Sequence, residues 1–214
     1  MKSLRITEIF HSLQGEARTV GVPTVFVRLT GCPLRCVYCD TEYAFSGGEI
    51  MPLTDIVKEV RQYKTEYICV TGGEPLAQKE CLPLLESLCD EFTQVSLETS
   101  GAMDLSGVDS RVSKVMDLKT PDSGELNRNL YSNIPFLQSH DQVKFVLCSR
   151  QDYDWAKLQV DQYGLTDRVS DVLFSPSHEK LDPQKLAEWM LEDKLQVRFQ
   201  LQLHKILWGD KEGV

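Results

Sequence analysis

The sequence predicts an α/β fold built on a mostly parallel sheet, and three observations carry that expectation. Short β-rich runs alternate with segments of helical apolar spacing along the 214 residues. Several of the strand runs put polar residues on one face and apolar residues on the other. A Gly72-Gly73-Glu74-Pro75 turn ends one of these runs, at the strand edge where parallel α/β folds bind ligands. Roughly six strands joined by right-handed crossovers make either a partial (β/α) barrel or a doubly wound sheet.

Taken in order, residues 24–30 (Thr-Val-Phe-Val-Arg-Leu-Thr) read as a strand leading into a cysteine-rich loop. Leu53, Ile56, Val57 and Val60 mark an amphipathic helix that Thr54 or Asp55 is able to cap. Residues 67–71 form the next strand, followed by the glycine turn and a helix over 81–92 with the stripe Cys81, Leu84, Leu85, Leu88, Cys89, Phe92. Further strands are expected at 94–99, 112–118, 142–147 and 171–175, helices near 151–162 and 183–191, and a last extended run at 197–203.

In a strand, residues two apart share a face. Arg28 shares one with Phe26 and Thr24, Glu98 with Ser96, Lys144 with Gln142, and Asp117 with Lys119 if the strand extends that far. The opposite faces carry Val25-Val27-Leu29, Val95-Leu97 and Val143-Phe145-Leu147, as a helix-covered surface requires. The alternative is that these charges pair with one another or reach solvent at a sheet edge. Agreement among four strands favours an inward polar pocket.

Hydrophobic content of 42% and charged content of 26% are ordinary globular values. A chain of this size removes about 70% of its unfolded surface from water, and with no repeat, linker or low-complexity stretch the expectation is one domain over 1–214. A net charge of -9 argues against a broad nucleic-acid surface and against an anionic membrane. The first residues, Met-Lys-Ser-Leu-Arg-Ile-Thr-Glu, lack the apolar region of a secretory signal, and no run is long enough to span a bilayer. The expected setting is the reducing cytoplasm, where clustered cysteines serve as metal ligands or catalysts.

Three of the 7 cysteines are clustered: Cys32, Cys36 and Cys39, within Gly31-Cys-Pro-Leu-Arg-Cys-Val-Tyr-Cys-Asp-Thr41. Structural zinc wants four closed ligands, and no nearby Cys-x-x-Cys or His pair completes such a site. Three thiolates suit a 4Fe–4S cluster with one iron left for a non-protein ligand. Cys69, Cys81, Cys89 and Cys148 sit in apolar runs and are expected in the core.

The cysteine loop with Tyr38 before its third cysteine, together with the Thr71-Gly-Gly-Glu-Pro75 turn, resembles the two signatures of the radical S-adenosylmethionine (SAM) enzymes. Within that superfamily, Phe10-His-Ser-Leu-Gln-Gly-Glu16, Phe26-Val-Arg-Leu-Thr-Gly-Cys32, Cys39-Asp-Thr41 and Gln200-Leu-Gln-Leu-His-Lys205 resemble 7-carboxy-7-deazaguanine synthases over nearly the whole chain. The resemblance implies a trimmed, TIM-like partial (β/α) barrel. It also implies a lyase reaction that turns 6-carboxy-5,6,7,8-tetrahydropterin into 7-carboxy-7-deazaguanine with loss of ammonia, toward queuosine and other deazapurines. Implied cofactors are the 4Fe–4S cluster, SAM and Mg²⁺. Implied partners are the pterin, a flavodoxin- or ferredoxin-like electron donor and a second copy of the chain.

By position, the resemblance gives the cluster to Cys32, Cys36 and Cys39, and SAM to Tyr38, Cys39, Asp40, Gly73, Glu74 and the segment Asp117-Leu118-Lys119. Leu13, Gln14, Gly15, Glu16, Arg28, Thr71 and His204 fall to the substrate, with Arg28 facing its carboxylate. Thr41 falls to Mg²⁺, which prefers oxygen ligands. Structural readings compete: Gln14-Gly15 as an ordinary turn, Thr41 as a loop cap, and His204 as the solvated side of a last strand.

Two stretches depart from the resemblance. The chain continues past Lys205 as Ile-Leu-Trp-Gly-Asp-Lys-Glu-Gly-Val214, and residues 121–139 are polar with little periodicity. Two other functions share part of the pattern. A glycyl-radical activating enzyme would share the cysteines, the glycine turn and Asp-x-Lys, and a non-catalytic metal-binding adaptor with a zinc knuckle would share only the cysteines.

Overall fold

The structure, a computed structural model, describes residues 2–209, 211 and 213. Of the C-terminal run, Asp210, Glu212 and Val214 lie outside the described residues. The elements follow in chain order: β1 (Ser3–Leu13), β2 (Pro23–Leu29), β3 (Glu49–Pro52), α1 (Leu53–Arg61), β4 (Tyr67–Gly72), α2 (Cys81–Cys89), β5 (Gln94–Thr99) and β6 (Ser113–Asp117). Then come β7 (Gln142–Leu147), α3 (Arg150–Tyr163), α4 (Leu165–Arg168), β8 (Asp171–Pro176), α5 (Pro183–Glu192), β9 (Arg198–Phe199) and α6 (Leu203–Trp208). Residues 121–139 are made largely of short 3₁₀ turns, which explains their weak periodicity.

The nine strands among the described residues form one sheet, ordered β3-β1-β2-β4-β5-β6-β7-β8-β9. Neighbours from β2 to β9 are parallel, while β1 runs antiparallel to both β2 and β3. From β2 onward the order advances without reversal. A doubly wound sheet needs a reversal at its switch point, so the architecture is a partial, open (β/α) barrel. Its helix-covered face is the apolar one: Val25, Val27, Leu29, Val95, Leu97, Val143, Phe145 and Leu147 are all buried, packed with Ile56, Val60, Leu84, Leu88, Tyr153 and Leu186 from the helices.

Local chemistry sets most boundaries. At the start of α3, Ser149 accepts a hydrogen bond from the Asp152 amide (3.3 Å), and Gly164, at φ 56°, ends it in the left-handed region. Asp182 caps α5 from the Gln184 amide (2.9 Å), with Pro183 in the first turn. The expected cap at Thr54 or Asp55 is not used. Pro52 ends β3 and feeds directly into α1, which starts one residue earlier and has no side-chain cap.

The antiparallel strands β1 and β3 were not anticipated. Only Leu4 and Ile6 show a buried alternation in β1, and β3 is a short edge strand. The extended run expected at 197–203 shrinks to β9. The chain then turns, the Leu203 amide donates to the Gly15 carbonyl (2.9 Å), and α6 begins. Cys69 and Cys81 are buried as expected, whereas Cys89 and Cys148 are only half-buried. No helix among the described residues is long and apolar enough to cross a membrane.

At the end of the sheet away from the glycine turn, Lys114 and Asp141 form a buried ion pair (2.9 Å) with 2% and 0% of their side chains exposed. Asp141 also accepts the Lys114 and Gln138 amides at 2.8 and 2.7 Å. Breaking a buried pair leaves an uncompensated charge. Asp141→Ala is therefore expected to cost about 3–5 kcal/mol in chemical denaturation.

Candidate functional site

The C-terminal ends of the parallel strands open into one cavity of about 500 Å³. The loop after β2 forms one wall and carries the cysteine triplet. It is held by backbone bonds on both sides: the Glu74 amide donates to the Gly31 carbonyl (2.8 Å), and the Gly31 amide donates to the Ala44 carbonyl (2.8 Å). A Cβ on Gly73 would collide with that Gly31 carbonyl, so the close approach of turn and loop requires glycine. Arg35 braces the loop further, its guanidinium donating to the Cys32 and Leu34 carbonyls (2.8 and 2.6 Å) and lying 4.2 Å over the Phe45 ring.

Cys32, Cys36 and Cys39 are free, half-buried and exposed to the cavity. Burial pushes all three thiols up, Cys36 to about 11, although Lys119 pulls against this at Cys32 and Cys36. Left alone they stay protonated, and a cationic iron centre supplies the charge that would hold them as thiolates. Three cavity-facing sulfurs on one braced loop therefore fit the donor set of a 4Fe–4S cluster with an open iron. Among the described residues, no three His, Cys, Asp or Glu side chains are grouped to hold a single metal ion. Behind the loop, the buried Tyr38 hydroxyl and Asp117 Oδ1 have no hydrogen-bond partner among the described residues. Burial, and then the Asp117 charge, raise the Tyr38 pKa and keep the phenol neutral.

The rest of the lining comes from β1, the strand ends and α6. Arg28 Nε donates to Glu8 Oε1 (2.7 Å). Lys144 Nζ lies 2.5 Å from Glu16 Oε2 and 4.0 Å from Asp117 Oδ2, and Lys119 donates to Asp117 Oδ2 at 2.8 Å. Burial alone would lower the Lys144 pKa, but the charges of Glu16, Asp117 and Glu98 outweigh it and raise it. Burial would likewise raise Glu16, yet Lys144 brings it below its ordinary value. Glu98 accepts from Gln14 (3.5 Å) and Thr71 (3.3 Å), and burial raises its pKa despite Lys144.

At the cavity mouth, Thr41 donates to Asp40 Oδ1 (2.8 Å) and His204 Nε2 lies 3.7 Å from Asp40 Oδ2. Burial raises the Asp40 pKa, but His204 and Thr41 more than reverse it and hold the carboxyl below its ordinary range. Gln202 spans the gap, donating to Glu16 (2.7 Å) and reaching Asp40 at 3.4 Å. A Cβ on Gly15 would strike the His204 ring, so this glycine is where α6 docks.

The structure thus gathers the residues singled out from the sequence around one cavity, with two exceptions. Glu74 is fully buried, its carboxylate accepting from the Leu76 and Ser100 amides (3.0 and 2.6 Å) and Thr99 Oγ1 (3.0 Å), so it fastens β4 to β5. Leu118 points into the core. His204 does reach the cavity, but from a helix rather than a strand. Tyr43, Ser177 and Lys180 were missed, although all follow strand ends or the cysteine loop. Their position at the ligand-binding edge was the available signal.

A parallel half-barrel with a three-cysteine loop and a glycine turn at the same edge defines a radical SAM enzyme. The family model of the Radical SAM superfamily matches residues 26–122, and membership of that superfamily brings a 4Fe–4S cluster, SAM and a requirement for a reductant. A 7-carboxy-7-deazaguanine synthase of Koribacter versatilis is 44% identical over 96% of this chain and 97% of its own. Another from Chlorobaculum tepidum is 42% identical over 99% and 97%. The crystal structure of QueE from Escherichia coli shares the fold at a TM-score of 0.70, with 21% identity and 94% of each chain covered. The chain belongs to the 7-carboxy-7-deazaguanine synthase family.

The Glu16–Lys144 pair yields a pH-dependent prediction. With Glu16 held below the ordinary glutamate value, its share of stability is present above that ordinary value and is lost as pH falls through the folded-state one. Lys144→Met leaves a buried unpaired carboxylate that is relieved only when it takes up a proton. Thermal denaturation is expected to show a Tm deficit of at least about 4 °C at pH 7 that narrows at pH 4.

Proposed function

We propose that the whole chain, acting as one radical SAM domain over residues 1–214, converts 6-carboxy-5,6,7,8-tetrahydropterin to 7-carboxy-7-deazaguanine with loss of ammonia, for queuosine or a related deazapurine. The observation that carries this reading is the single cavity that faces the cysteine loop with Arg28, Gln14, Glu16, Thr71 and His204. When bound, the cluster and SAM supply hydrogen-atom abstraction. Cys32, Cys36 and Cys39 hold the cluster, while Tyr38, Asp40, Gly73 and the strand end at Asp117 and Lys119 position SAM. Glu74 acts at one remove by fixing the glycine turn. Leu13, Gln14, Gly15 and Glu16 seat the pterin, with Thr71 and His204 beside it, and Arg28 meets its carboxylate.

Thr41 presents a hydroxyl to Mg²⁺ next to substrate oxygens, which suits a hard cation. The proposed setting is cytoplasmic, with a flavodoxin- or ferredoxin-like donor and a homodimeric assembly. A net charge of -9 speaks against a nucleic-acid or anionic-membrane partner. A glycyl-radical activase and a zinc-binding adaptor are not favoured by the full-length relatives.

Anaerobic reconstitution followed by incubation with SAM, reductant, Mg²⁺ and the carboxylated tetrahydropterin tests the assignment. The deazaguanine product, identified by mass spectrometry, is the expected outcome; SAM cleavage without that product overturns it. Cys36→Ala is expected to abolish SAM cleavage with the circular dichroism spectrum preserved. Thr41→Ala is expected to weaken the Mg²⁺ response of turnover while retaining SAM cleavage, measured by Mg²⁺ titration.

A further inference from the structure

Arg28 sits in a frame more elaborate than an arginine needs for charge pairing. Across the antiparallel β1–β2 pairing it stands directly opposite Glu8. Its Nε donates to Glu8 Oε1 at 2.7 Å, and the Tyr43 hydroxyl donates to that same oxygen at 2.7 Å. The guanidinium carbon lies 5.7 Å from the Phe10 ring centroid and 5.8 Å from that of Tyr43. Phe10 is in turn stacked on Phe26 at 4.9 Å with the rings 10° apart. The side chain of Arg28 is only 15% exposed, and the residue lines the cavity. Neither Nη nitrogen has an acceptor among the described residues.

A guanidinium presents its donors in a fixed planar fork. Tying the Nε edge to one carboxylate and packing aromatic rings against the group leaves the two Nη donors as the usable edge. We infer that Glu8, steadied by Tyr43, is a positioning residue that orients Arg28 so that its Nη edge receives the carboxylate of the substrate. This deepens the proposed function and rests on its assignment of Arg28 to the substrate carboxylate. The arrangement also sets specificity. Glu8 already offsets the charge of Arg28, so the clamp selects an acceptor with carboxylate geometry rather than any anion, because bidentate pairing adds direction to charge.

The test compares Glu8→Ala, Glu8→Gln, Tyr43→Phe and Arg28→Ala in reconstituted holoenzyme with the carboxylated tetrahydropterin. A misoriented guanidinium forfeits a charge-assisted hydrogen bond, so Glu8→Ala is expected to raise the pterin KM by about tenfold or more. Its kcat and the KM for SAM should stay within about twofold, a split that general destabilisation would not produce. Glu8→Gln, which keeps an oxygen acceptor, is expected to recover part of the loss, and Tyr43→Phe to show a smaller rise in the same parameter. If Glu8→Ala does not fold, Tyr43→Phe carries the test, and an unchanged pterin KM there counts against the inference. An unchanged pterin KM in Glu8→Ala, alongside a raised one in Arg28→Ala, overturns the positioning role alone. An unchanged pterin KM in Arg28→Ala overturns the assignment of Arg28 itself.

Discussion

The concave face of the sheet buries cations, and each of Arg28, Lys119 and Lys144 is held there by a carboxylate: Glu8, Asp117 and Glu16. Removing an unpaired ion from water costs several kcal/mol even after relaxation. These charges therefore have to be placed by strand register rather than left to flexible side chains. Pairing of β1 with β2 sets Glu8 opposite Arg28, and the parallel pairing of β6 with β7 sets Asp117 beside Lys144. The geometry of the cavity follows from this need, because any slip by one residue would turn these groups into the apolar, helix-covered layer.

That constraint also separates the two walls. The cysteine side is fixed by backbone contacts, Gly31 with Glu74 and Ala44, and by a glycine where no side chain fits. The side formed by β1, β7 and α6 is fixed by ion pairs and by the docking of α6 on Gly15. A backbone-defined wall tolerates little change in the loop, whereas a wall of side chains sets chemical selectivity. Glu74 belongs to the first category. Its buried carboxylate ties the ends of two strands together and never reaches the cavity, although its place in the glycine turn suggested a ligand contact.

Much of the parallel half of the fold was legible because its strands carry period-two polarity and its helices carry apolar stripes; the strands at 94–99 and 142–147 have the boundaries expected from the sequence. The antiparallel half was not. In β1 the buried alternation fades after Ile6: Phe10 and Leu13 line the cavity, while Ile9 is only partly buried against the core. The C-terminal run reads as extended by alternation, but the bond from Leu203 to Gly15 turns it into a helix, a tertiary contact no local pattern encodes. The same holds for the site. Spacing marks the cysteines and the glycine turn, whereas Glu8 and Tyr43 are recognisable only once β1 and the loop after Thr41 lie against Arg28.

The contact between Gly15 and the start of α6 has a consequence for how the molecule comes into being. Residues 15 and 203 are far apart in the chain, and their meeting closes a long loop. During vectorial synthesis, the segment bearing the cysteines and the glycine turn leaves the ribosome well before the segment that seats His204 against Gly15. The wall bearing the cysteines therefore has its parts in hand early, while the wall that includes His204 waits for residues almost two hundred positions after Gly15. Incomplete chains would carry the cysteine loop but not the contacts that α6 brings to the cavity.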